Sequence, residues 1–181
     1  MKSNAGFTLV EVMVACLIGV LVLAAVIAIQ MMSTRTFAEG SADVMLERTG
    51  NMIMERIVRG PAGRYGLREA RLSTIVATGG SESLVSFTVD RNDPPTFDTS
   101  DDTQCAVYLA GYEGARKVMY DPDTSVEDNE IELHPEALVS EMNVTVFADY
   151  VDVELVLQHT VQPFGSEMEV RVSTSVQPRC Q

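Results

Sequence analysis

The apolar positions fall into three regimes along the chain. From residue 7 to residue 29 nearly every position is apolar, broken only by Thr8, Glu11 and Gly19. As a helix rising about 1.5 Å per residue, this run is long enough to cross a hydrocarbon layer about 30 Å thick. From residue 38 the pattern becomes a stripe. Ala38, Ala42, Met45, Thr49, Met52, Ile53 and Ile57 recur at three- and four-residue spacing, with Glu39, Asp43, Glu47 and Glu55 opposite. Gly40 and Gly50 interrupt this stretch and either permit a bend or admit a closely packed neighbour. Gly60, Pro61 and Gly63 end it. The pattern predicts one helix over residues 7–59, apolar all round in its first half and amphipathic in its second.

After Arg71 the period drops to two. Residues 83–89, 106–110, 117–120, 130–133, 143–147, 151–157 and 167–176 read as strands, separated by polar and turn-rich stretches such as 91–95. Segments 117–120 and 130–133 flank an acidic turn and are expected to pair as a hairpin. Strands following a single helix indicate an α+β fold, with the long N-terminal helix packed on an antiparallel sheet built from meanders. The expected organisation is a leader at 1–6, a transmembrane helix half at 7–32, an amphipathic half at 33–60 and a β-rich domain at 61–181.

Charge removes one class of function. The formal net charge is −13, and the basic residues are scattered apart from a group at 56–71. A chain so poor in available Lys and Arg has little with which to neutralise phosphates, so no direct nucleic-acid partner is expected.

The N-terminal run carries the chemistry. Lys2 ahead of the span keeps the short leader cytoplasmic and places everything after the span across the membrane. Three readings of the segment compete: a secretory signal cut after Ala28, a plain single-span anchor, and a leader removed while the apolar segment stays. Glu11 separates them. A carboxylate in an apolar span costs about 2.5–3.5 kcal/mol on insertion scales and therefore marks a function with a partner. A secretory signal or simple anchor has no use for it.

Gly6, Phe7, Thr8, Leu9, Val10 and Glu11 resemble the cleavage and methylation motif of type IV prepilins, with glycine, then phenylalanine, then glutamate four residues on. The resemblance covers the first thirty or so positions. It implies that Gly6 is the last leader residue, recognised by a membrane-embedded prepilin peptidase. Phe7 becomes the new N-terminus and is methylated by the same enzyme. Glu11 becomes the assembly residue, its carboxylate neutralising the Phe7 amine of a neighbouring subunit or its own. The alternative for Glu11 is a side chain that snorkels toward the headgroups. The strand pattern of 138–157 resembles, more loosely, the J-type pseudopilins of type II secretion and the W-type minor pilins. The implied protein is a minor subunit that initiates or caps a pilus or pseudopilus, with no cofactor. Its partners are sister subunits, the peptidase and the bacterial inner membrane, with the domain in the periplasm. The other reading is a pilus-displayed adhesin with an exposed apolar patch on loops such as 90–104, or a simple membrane-anchored periplasmic domain.

The remaining signals are weaker. Of the three cysteines, Cys16 lies in the apolar run, where a thiol behaves as a small hydrophobe. Cys105 and Cys180 lie in the polar part. If that part is periplasmic they are expected to form a disulfide, the alternative being two unpaired thiols. Asp121, Asp123, Ser125, Glu127, Asn129 and Glu132 fall at calcium-loop offsets, but Val126 replaces the required glycine and Asp128 the apolar position, so no metal site is assigned. His134 and His159 have no Cys or Ser partner at a catalytic spacing, and Asn143 and Thr145 match a glycosylation sequon only as a pattern. No nucleophile elbow, phosphate loop or zinc motif is present, so no enzymatic activity is expected.

Overall fold

The computed structural model describes residues 8–78, 83–92, 98–112, 115–135 and 137–178. Its first element is α1, Leu9–Arg59, a helix of 51 residues and so about 77 Å of rise. Thr8 and Glu11 cap its start. Arg56 and Arg59 sit in its last turn, where cations oppose the helix dipole. Gly60 stops it at φ +82°, and a Cβ there would fall 1.8 Å from the Arg64 carbonyl oxygen, so only glycine fits this turn.

The chain divides into two compact units at Ser41/Ala42. In the first unit, every described residue up to Phe37 is exposed, and the apolar stretch is long and apolar enough to cross a membrane. Thr34 and Thr36 return their hydroxyls to carbonyls one turn back, at Gln30 and Met32. Arg35 pairs with Glu39 at 2.8 Å where the apolar stretch gives way to charge.

In the second unit the last turns of α1 and two antiparallel sheets share one core. Strands β1 (Val76–Thr78), β2 (Leu84–Val89), β3 (Thr103–Ala110), β4 (Lys117–Asp121) and β5 (Ile131–Glu132) form one sheet in that order. β6 (Val139–Val146), β7 (Val151–Val161) and β8 (Ser166–Val176) form the other. Every pairing joins sequence neighbours, so both sheets are meanders, and the expected β4–β5 hairpin is present. The sheets are joined by a few polar links. The Val139 amide donates to the Arg116 carbonyl at 3.0 Å, Arg116 Nη1 donates to the Ser140 carbonyl at 3.0 Å, and the buried Ser83 hydroxyl donates to the Met142 carbonyl.

The helix face that enters the core differs from the expected stripe. Leu46, Thr49, Gly50, Ile53, Met54 and Ile57 turn inward, whereas Met45 and Met52 remain exposed. Gly50 explains the shift. A Cβ there would lie 2.6 Å from Val172 Cγ2 and 2.9 Å from Leu157 Cδ1, so β7 and β8 approach the helix over its missing side chain. The core continues through Phe87, Val107, Tyr120, Leu133, Met142 and Leu155. Also beyond the sequence reading are β1 and two single-turn 3₁₀ helices, Leu67–Glu69 and Leu72–Thr74.

Candidate functional site

Glu11 is the lone charge in a run otherwise apolar or small, and its geometry is local. The Thr8 amide and the Thr8 hydroxyl both donate to Glu11 Oε2, each at 2.9 Å. The Glu11 amide donates back to the Thr8 hydroxyl at 3.3 Å. This is a capping box: a threonine N-cap and a glutamate three residues on satisfy amides that the helix start leaves unpaired. Oε1 takes no hydrogen bond among the described residues. The carboxylate is therefore oriented before any partner arrives, with one oxygen open. The Thr-x-x-Glu spacing was available in the sequence but hidden beneath the more conspicuous Phe7–Glu11 spacing. Gly6 and Phe7, the expected cleavage and methylation positions, lie outside the described residues. Glu11, Val12, Ala15 and Cys16 line one shallow, open depression on the helix, with the Cys16 thiol exposed.

Residues 1–27 match the family described as the prokaryotic N-terminal methylation motif. The match is confined to this N-terminal segment. The match supports a type IV pilin-like protein, and the long apolar helix followed by antiparallel sheets is consistent with that fold. Neither a curated protein nor a solved structure matches the chain.

The other sequence candidates are dispersed. Cys105 is a buried thiol whose sulfur donates to the Pro122 carbonyl at 3.2 Å, and Cys180, its expected disulfide partner, lies outside the described residues. Burial pushes the Cys105 thiol up, and pushes the neighbouring Tyr120 phenol up as well. Tyr120 donates its hydroxyl to the Tyr65 carbonyl at 2.5 Å, and Arg91 stacks over the Tyr65 ring at 5.1 Å.

In the acidic hairpin between β4 and β5, two carboxylates are used by the turn itself. Asp121 Oδ1 accepts from the Asp123 amide at 2.9 Å. Asp123 Oδ1 accepts the Ser125 hydroxyl at 2.6 Å and its amide at 3.1 Å. The Ser125 bonds hold the Asp123 carboxyl below its ordinary range. Glu132 turns to Lys117 at 2.5 Å. Among the described residues no group of three or more His, Cys, Asp or Glu is placed to hold a metal.

One polar cluster escaped the sequence reading. Arg71 is nearly buried and donates to both oxygens of Asp102, from Nε at 2.6 Å and Nη2 at 3.2 Å. Asp90 lies 3.7 Å from Nη2, and the Asp98 carbonyl accepts at 3.4 Å. Nothing in local spacing links residues 71, 90 and 102; the pairing of β2 with β3 brings the two acids together beside Arg71.

Proposed function

We propose that this chain is a fibre subunit made as a precursor. A prepilin peptidase cuts after Gly6 and methylates the Phe7 amine, and the apolar half of α1 holds the product in the bacterial inner membrane with the sheets on the periplasmic side. Withdrawal into the fibre sets the charged Glu11 against the new amine of a neighbouring subunit. The observation that carries this is the methylation motif at residues 1–27, continuous with a 51-residue helix whose apolar segment holds Glu11 as its one charge.

The capping box supplies a physical route. Before assembly, Thr8 offsets part of the cost of a carboxylate in the membrane by filling Oε2. Oε1 remains for the incoming ammonium, so the pair forms without first breaking the cap. Pairing removes the remaining penalty only when the geometry is right, which makes it a check on register. We assign the chain to a minor position, initiating or capping a pilus or type II pseudopilus, from its strand pattern.

The test is incorporation into sheared fibres. Glu11→Ala is expected to leave cleavage intact and abolish most incorporation. Thr8→Val, which loses the hydroxyl but keeps the carboxylate, is expected to lower incorporation less. Wild-type incorporation of Glu11→Ala would overturn the charge-pair role.

A further inference from the structure

The solvent face of β6, β7 and β8 is ordered in rungs. The registers set Phe147 against Tyr150 at the turn and Thr145 against Asp152 and Ser175. Asn143 then meets Glu154 and Ser173, and Glu141 meets Val156 and Arg171. The bulge between Val139 and Glu141 puts these residues on the outer face, because it shifts β6 by one position before Met142 turns inward. Phe147 and Tyr150 stack with centroids 4.5 Å apart and planes 14° off parallel, yet remain 41% and 39% exposed. On the rungs that the register sets between this pair and Arg171 lies an open trough of ≈ 580 Å³, lined by Asn143, Thr145, Asp152, Glu154, Ser173 and Ser175 together with Val153 and Thr174.

We infer that this trough is a binding site for a neutral oligosaccharide. The two middle rungs carry short hydroxyls, one amide and two carboxylates, and no cation. Carboxylates and a primary amide bond the vicinal hydroxyls of a sugar in two-point fashion, and serine and threonine hydroxyls both donate and accept. The internal bonds leave capacity: Ser175 donates to Asp152 Oδ1 at 2.5 Å and Asn143 reaches Glu154 only at 3.5 Å. The aromatic pair supplies an apolar surface for the C–H face of a sugar ring, beside the polar groups that fix its orientation. Successive rungs on one face are about 7 Å apart, so the trough from the aromatic rung spans two to three sugar units. Asp152 and Glu154 disfavour an acidic saccharide, and the rim cation Arg171 is engaged by Glu169 at 3.0 Å. This site is separate from the membrane helix and does not depend on the assembly reading.

The experiment is saturation-transfer NMR on the full-length protein in phosphocholine micelles, since alkyl-glycoside detergents would compete. Cellotriose, chitotriose and mannotriose are the neutral probes, with trigalacturonate and tetralysine as charged controls. At least one neutral trisaccharide is expected to bind. Tyr150→Ala and Asp152→Asn are each expected to weaken it by about tenfold, Ser173→Lys to block it, and Glu127→Gln in the acidic hairpin to leave it unchanged. No neutral probe binding at about 10 mM, binding that survives all three trough variants, or binding of tetralysine alone would each overturn the inference.

Discussion

Single residues here are governed by what surrounds a polar group. Glu11 is tolerable in an apolar helix because Thr8 is placed to fill one of its oxygens. Tyr120 shows the reverse. Its phenol is buried beside Cys105, which favours the protonated form and raises its pKa above the ordinary value of about 10. In the unfolded chain the phenol ionises at that ordinary value. The folded state therefore binds more protons above it, and stability falls as pH rises through this window. The melting temperature should hold steady through neutral pH and fall above about pH 9–10. Tyr120→Phe should flatten that fall, and an unchanged alkaline profile in Tyr120→Phe would show that the phenol does not contribute.

At the scale of elements, Gly50 and Gly40 look alike in sequence and differ in the fold. A Cβ at Gly50 collides with Val172 and Leu157, whereas one at Gly40 meets nothing within 4 Å. Gly50→Val should destabilise the domain by about 1–3 kcal/mol through forced overpacking. Gly40→Ala should leave its thermal midpoint unchanged or slightly raised, because alanine favours the helix. Equal midpoints for the two variants would contradict the close approach of β7 and β8 to α1.

The same pair shows how far the sequence was legible. The helix, the β4–β5 hairpin and the long C-terminal strands announce themselves through period. Even so, β6 and β7 extend beyond their most regular segments, because Val139 and Val161 are ordered by pairing and burial rather than by alternation. β1 is too short to show a period and exists because β2 offers it an edge. The three- and four-residue spacing places Met45 and Met52 inward, yet both are exposed. The position where a sheet approaches a helix depends on which residue lacks a side chain, and that is Gly50. The Arg71 cluster and the trough on β6–β8 are properties of register between strands, which single-segment reading does not reach.

For the whole molecule, the two compact units match two kinds of surface. From Leu9 to Phe37 the helix is exposed, and its apolar stretch up to Ile29 has no stable place in water alone. From Ala42 onward the chain has a packed core of its own. Both surfaces make sense together if the first is retained in a membrane or fibre after processing and the second is held in the aqueous compartment outside. The direct measurement is the N-terminal residue and intact mass of the protein recovered from membranes. A mature chain that begins at N-methylated Phe7 is the predicted result. An intact Met1, or a chain that begins after Ala28, would contradict it and leave an anchored or secreted domain instead.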